Sequence, residues 1–200
     1  MTQPPISRAT PPRVRMLCLA GFMGSGKTTV GALLARQLAW RFVDLDDRIE
    51  AAAGLRIPEI FERLGEPAFR QIEADQLRAT LGRVFESNES IVLALGGGTY
   101  AQQGAPEFLR AANVPVVWLD PPIDVLLARC MTMTGRPLFR DENSFRALYA
   151  QRLPSYQQAE HRVDSSGDPA RVVTEILSRG IIAAAGSEAH LVVDKPQFPR

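Results

Sequence analysis

Nine consecutive residues, Gly21-Phe22-Met23-Gly24-Ser25-Gly26-Lys27-Thr28-Thr29, carry the most specific chemistry in the chain. They fit G-x-x-x-x-G-K-[ST], in which glycines let backbone N–H groups converge on phosphate oxygens while lysine reaches the β- and γ-phosphates and the hydroxyl ligates Mg²⁺. Gly24, Ser25 and Gly26 are thus candidate ATP contacts, Lys27 a candidate catalytic cation and Thr28 a candidate metal ligand, with Thr29 beside them. Two further polar clusters follow apolar runs of strand length. Asp44 and Asp46 lie at the end of Arg41 to Leu45, and Gly96-Gly97-Gly98 follows Ile91 to Leu95. A carboxylate can orient or deprotonate an attacking hydroxyl, and side-chain-free N–H groups can approach a ligand closely.

These groups need elements that bring them together. Met16 to Ala20 reads as a buried strand, and Val30, Leu33, Leu34 and Leu38 recur at helix spacing, so the cradle falls at a strand-to-helix turn. Asp46 is placed to cap a helix running to Gly54; Pro58 opens a short helix that Gly65 stops; and Phe69, Ile72, Leu77 and Leu81 line a longer one. Val114 to Leu119 reads as a fourth strand, with Pro115 tolerable only at its beginning. Ile123, Leu126, Leu127 and Cys130 form a helical stripe, and Phe145, Leu148, Tyr149 and Leu153 another that Pro154 should end. Between them, residues 131–143 lack periodicity and read as a mobile lid. Arg162 to Asp164 is a short fifth strand, and Asp168-Pro169 starts a helix closed by Gly180. Alternating strands and helices predict an α/β fold: a mostly parallel sheet with helices on both faces and ligands outside the strands' C-terminal ends. All three polar clusters fall at such ends.

Composition narrows the partners. Of 200 residues, 46% are hydrophobic and 22% charged, which suits one α/β domain spanning 14–180, preceded by a disordered leader with four prolines in 1–13 and followed by a tail, 181–200. The net charge of +1 gives no basic excess for nucleic acid or an acidic membrane surface, so a small-molecule partner is expected. Cys18 and Cys130 offer neither a disulfide framework nor a C-x-x-C metal pair, and no apolar run approaches bilayer length; a cytoplasmic monomer is expected.

From Leu17 to Leu177 the chain resembles shikimate kinase. The resemblance is carried by GFMGSGKTT (21–29), FVDLDDRIE (42–50), IPEIFERLGEPAFRQIE (57–73), LALGGGTY (93–100), GRPLF (135–139), RLPSY (152–156) and VDSSGDP (163–169) in order. It implies a nucleoside-monophosphate-kinase-like P-loop fold, a five-stranded parallel sheet in the order 2-3-1-4-5, and phosphorylation of the 3-hydroxyl of shikimate by ATP with Mg²⁺. By the resemblance, Asp46 meets the attacking hydroxyl, Asp44 acts on the metal with Thr28, and Arg70 and Arg152 grip the shikimate carboxylate. Gly96, Gly97 and Gly98 face the ring hydroxyls, Phe61 and Phe69 line the acceptor site, and Arg136 is the catalytic lid arginine that also touches ATP. Pro169 joins the ATP contacts.

The chain departs from the family at Ser155, at Phe139 and in the uncharged stretch 130–134, where a basic residue often lies near the adenine; Arg129 is the candidate to replace it. The competing readings are a kinase for another polyol acid such as gluconate, a nucleoside monophosphate kinase, and a related protein without catalysis. The pair of arginines with the three glycines favours shikimate over gluconate. Thr28, where nucleoside monophosphate kinases typically have glycine, disfavours the second, and the presence of every chemical residue disfavours the third.

Overall fold

The computed structural model describes residues 14–87, 89–131 and 141–184. Five strands, β1 (Met16–Ala20), β2 (Arg41–Asp44), β3 (Ile91–Ala94), β4 (Val116–Leu119) and β5 (His161–Val163), form one sheet in the order β2-β3-β1-β4-β5. Every pairing is parallel, with Met16 opposite Ile91, Cys18 opposite Val116, and Val117 opposite His161. This is the expected α/β architecture and strand order. Its chemistry is plain in β1: a parallel sheet is covered on both faces, so its central strand must be apolar throughout, and all five residues of β1 are buried.

The alternation of side chains then divides two cores. Leu17, Leu19, Val92 and Val117 pack with Val30 and Leu34 of α1 (Lys27–Leu38) and with Val172, Val173 and Ile176 of α7 (Pro169–Ser178). Met16, Cys18, Leu93, Val116 and Trp118 point the other way. They pack with α2 (Leu45–Ala53), α3 (Ile57–Glu86), α5 (Ile123–Met131) and α6 (Glu142–Tyr156). A shorter helix, α4 (Ala105–Ala111), and the terminal α8 (Ile181–Ala184) complete the set.

Several boundaries differ from the sequence reading, each for a local reason. Asp44, not Asp46, caps α2: its backbone is extended and its carboxylate accepts from the Asp46 N–H, so β2 ends one residue earlier and Leu45 is already helical. Gly65, by contrast, divides α3 where expected: it alone leaves helical geometry (φ 80°, ψ 168°), so α3 is two helices joined at a kink. Pro154 lies inside α6, which continues to Tyr156; the missing N–H falls in the last turn, where burial of Tyr156 holds the chain. Pro115 precedes β4, and its carbonyl accepts from the Cys18 N–H. At the margins of the expected lid, Met131 closes α5, Asp141 caps α6 and Glu142 begins it. The rest of the lid, with Arg136, lies outside the described residues, as do the leader and 185–200.

The kink makes α3 a test of backbone strain against helix propensity within one element. A Cβ on Gly65 would meet nothing nearer than Pro67 Cδ at 3.7 Å, so Gly65→Ala should cost about 1–3 kcal/mol through φ alone. Gly82 sits in regular helix with nothing within 4 Å of a Cβ, so Gly82→Ala should stabilise by about 0.4–1 kcal/mol. Urea titration of both variants checks the opposite signs.

Candidate active site

The cradle closes at the C-terminal end of β1. Gly24 and Gly26 adopt φ of 79° and 93°, and a Cβ on Gly21 would approach the Leu119 carbonyl to 2.6 Å, so the loop depends on glycine for both conformation and space. Gly26 serves as the N-cap of α1, which aims the helix N-terminus at the loop. Lys27 folds over it, its ammonium donating to the carbonyls of Gly21 (2.8 Å) and Phe22 (3.0 Å). Thr28 and Thr29 lie exposed at the mouth.

Two distant segments anchor this loop. Arg129, in the last turn of α5, donates to the Gly24 carbonyl at 3.2 Å and to the carbonyls of Ser165 and Ser166, each at 3.0 Å. The buried Ser165 hydroxyl donates to the Ser25 carbonyl at 2.8 Å. Arg129 thereby ties the cradle to the turn between β5 and α7, where Asp168 caps the helix and Pro169 is its first residue. Ser165 was not among the expected site residues; nothing in its local pattern marks a partner 140 positions away.

Thr28 and Asp44 form a pair of oxygen donors at the mouth: the Thr28 hydroxyl donates to Asp44 Oδ2 at 2.9 Å, while Asp44 Oδ1 accepts from the Asp46 N–H at 3.1 Å. One carboxylate therefore caps α2 and faces the cradle hydroxyl. Hard oxygen donors in this arrangement fit Mg²⁺, which takes few protein ligands and keeps several waters.

The acceptor side is built around Gly96, Gly97 and Gly98, in the turn between β3 and a 3-10 turn at Thr99–Ala101. A Cβ on Gly96 would lie 2.7 Å from Asp46 Oδ1, 2.9 Å from Thr99 Oγ1 and 3.1 Å from Glu73 Oε1. A Cβ on Gly98 would lie 2.9 Å from Arg70 Nη1 and 3.1 Å from Arg152 Nη2. Asp46, Arg70 and Arg152, separated widely in sequence, thus meet over three glycines. Gly97 also approaches the cradle, with the Met23 backbone nitrogen 3.5 Å from where its Cβ would be.

The two arginines are held differently. Arg70 donates to the buried Glu73 at 2.8 Å and to Glu66, and its guanidinium lies 5.0 Å over the Phe69 ring. Glu73 in turn accepts from the Thr99 hydroxyl at 2.6 Å, so a carboxylate and a hydroxyl fix the Arg70 fork. Arg152 is only 7% exposed; it donates to the Gly97 carbonyl at 3.1 Å and lies 5.6 Å over the Phe22 ring. Among the described residues it forms no ion pair. Burial, with the neighbouring Arg70 charge opposing it too, lowers its proton affinity, partly offset by Tyr156. Phe61 and Phe69 stand 4.5 Å apart between ring centroids; Phe69 belongs to the core and supports Arg70 from beneath. Glu73, Thr99 and Tyr156 are site residues that sequence reasoning left unassigned. Two carried a readable sign: Glu73 lies three residues from Arg70, and Tyr156 four from Arg152, on the same helix faces.

A phosphate cradle beside a glycine turn on which two guanidiniums converge, both at the C-terminal edge of a parallel sheet, is the arrangement of a P-loop kinase. The shikimate kinase family model matches residues 23–180. The shikimate kinase of Persephonella marina is 38% identical over 83% of this chain and 99% of its own length, and that of Geobacter sulfurreducens 42% identical over 86% and 94%. The solved structure of shikimate kinase from Acinetobacter baumannii in complex with shikimate superposes with a TM-score of 0.72 at 34% identity, covering 88% of this chain and 96% of that one. The chain belongs to the shikimate kinase family, and it is an ATP-dependent shikimate phosphotransferase of aromatic amino-acid biosynthesis.

The Ser165 anchor predicts a measurable cost. Ser165→Ala leaves the Ser25 carbonyl without its buried donor, so the unfolding free energy should fall by about 1–3 kcal/mol. Denaturant unfolding checks this, and a change within error would show that the hydroxyl does not hold the cradle.

Proposed function

We propose that transfer to the 3-hydroxyl of shikimate is carried by Asp46, facing the glycine turn, with Lys27 on the phosphates and Arg70 and Arg152 on the acceptor carboxylate. The observation that carries this reading is Arg152: a buried guanidinium with no ion pair among the described residues, converging with Arg70 on Gly98, calls for an anionic ligand. Guanidinium forks pair bidentately with carboxylates, which sets the ligand's orientation as well as its charge. Asp46, on the Gly96 side of the same turn, then orients the acceptor hydroxyl and takes its proton as the oxygen attacks the γ-phosphorus and ADP leaves. Gly97 and Gly98 let the ring hydroxyls approach the backbone.

On the nucleotide side, the N–H groups of Gly24, Ser25 and Gly26 cradle phosphate oxygens, Lys27 supplies a point charge, and Thr29 and Pro169 border the nucleotide. Arg129 keeps the cradle and the β5–α7 turn in register beside the adenine, supported by its bonds to both. Thr28 and Asp44 would hold Mg²⁺, supported by their 2.9 Å contact; the ion would neutralise charge on the phosphates. Arg136, outside the described residues, is proposed from family resemblance to reach the transferring phosphoryl group. The two free cysteines, both buried, suit a reducing cytoplasm, and we read the enzyme as a monomer.

Asp46→Asn keeps a hydrogen-bonding group of the same size and removes the base. It should lower kcat by on the order of 10²–10⁴ while leaving MgATP binding near that of the parent; steady-state kinetics with both substrates varied tests this, and equal losses of ATP and shikimate affinity would count against the role.

The clamp is tested by calorimetry. Arg70→Ala and Arg152→Ala should each weaken shikimate binding by about 2–4 kcal/mol, with the double variant losing less than the sum because both forks grip one group. Unchanged affinity in either variant removes that arginine from the site.

A further inference from the structure

We propose that Tyr156 is a positioning residue of the acceptor site, its hydroxyl locking the Gly97–Gly98 peptide and the Arg152 fork in the geometry that receives shikimate. Tyr156 is fully buried at the end of α6, with its ring stacked on Trp118 of β4 at a centroid distance of 6.0 Å and an interplanar angle of 20°. Its hydroxyl donates to the Gly97 carbonyl, the same oxygen that accepts from Arg152 Nη1. Guanidinium and phenol thus share one acceptor, the Gly97 carbonyl oxygen.

The consequence for the substrate follows from peptide geometry. The peptide is planar and trans, and the chain has no cis bonds among the described residues, so pinning the Gly97 carbonyl fixes the Gly98 N–H on the opposite edge, away from Tyr156. Glycine peptides have little intrinsic preference between orientations, and the Gly96–Gly98 turn cannot gain rigidity from side chains, since a Cβ on Gly96 or Gly98 would collide with the site. Its orientation has to come from outside. Arg152 alone would leave the carbonyl held by the very group that must also bind the acceptor. Tyr156 supplies a second holder that touches no substrate, and the rigid ring bed on Trp118 transmits the position of β4 to the turn.

This inference rests on Arg152 and the glycine turn forming the acceptor site, so the experiment separates the two. Tyr156→Phe keeps the ring, its volume and its stacking and deletes only the hydroxyl; Gly97 still accepts from Arg152, so the variant is expected to fold, which thermal melting verifies. Its shikimate KM should rise by about 10-fold, as for loss of one hydrogen bond to a charged network, while the ATP KM stays within about 2-fold. Ile176→Val, in the core on the other sheet face, controls for lost stability and should move neither KM. If Arg152→Ala weakens shikimate binding but Tyr156→Phe leaves the shikimate KM within about 2-fold of the parent, the positioning role is overturned. A parallel rise of both KM values in Tyr156→Phe would overturn it as well. If Arg152→Ala itself leaves shikimate binding unchanged, the reading of the site fails and this inference with it.

Discussion

The structure depends on a lack of room at Gly96, Gly97 and Gly98. A carboxylate, a hydroxyl and a second carboxylate crowd the first glycine, two guanidiniums crowd the third, and the cradle backbone lies against the second. A side chain on the first or third would displace a charged group or push strand β3 from β1, whose register places Leu19 opposite Ala94 just before the turn. The acidic and basic halves of the acceptor pocket are thus set by one backbone segment, and the sheet sets that segment. Because Gly97 approaches the Met23 backbone of the cradle, the same turn also sets its own distance from the cradle.

Around this turn the chain solves two electrostatic problems in different ways. Arg70 is neutralised locally, by Glu73 and Glu66 on its own helix, and can contribute to binding only by sharing that charge. Arg152 is kept buried without a carboxylate, resting on an aromatic face and a peptide carbonyl. The nucleotide side is anchored through carbonyls instead: the Ser165 hydroxyl and the Arg129 guanidinium donate to the Ser25 and Gly24 carbonyls and hold the cradle's peptides so that its N–H groups keep one orientation. At Gly97 and in the cradle a carbonyl is pinned from behind, which fixes the donor on the other edge of the peptide.

What the sequence disclosed follows this division. The cradle, the strands and the three glycines are legible because each is a local pattern: glycine spacing, an apolar run, a helix period. Asp44 and Asp46 were legible as a pair, but their division of labour was not, since which carboxylate caps α2 depends on where β2 stops. The break at Gly65 was legible, but the passage of α6 through Pro154 escaped because a local breaker was overruled by packing, the seat of Tyr156 on Trp118. Ser165 and Thr99 escaped for a more basic reason: a hydroxyl that holds a remote carbonyl or carboxylate has no sequence signature, and only the fold brings it within reach.

The state of Arg152 explains why such holders are needed. A buried cation whose proton affinity is lowered in the folded chain binds its proton less well there than when unfolded. Near neutral pH both states remain protonated, so the desolvation cost is fully present; stability from this group would rise only as pH climbs toward the arginine's own range. The fold therefore carries an unfavourable charge throughout the physiological window. On the proposed reading a shikimate carboxylate would supply the missing partner, and part of the folding cost would be returned as binding free energy. That exchange works only if Arg152 cannot relax toward solvent in the meantime. Its packing on Phe22 and its bond to Gly97 oppose this relaxation, which on the same reading would keep the site preorganised for its anion at the expense of stability.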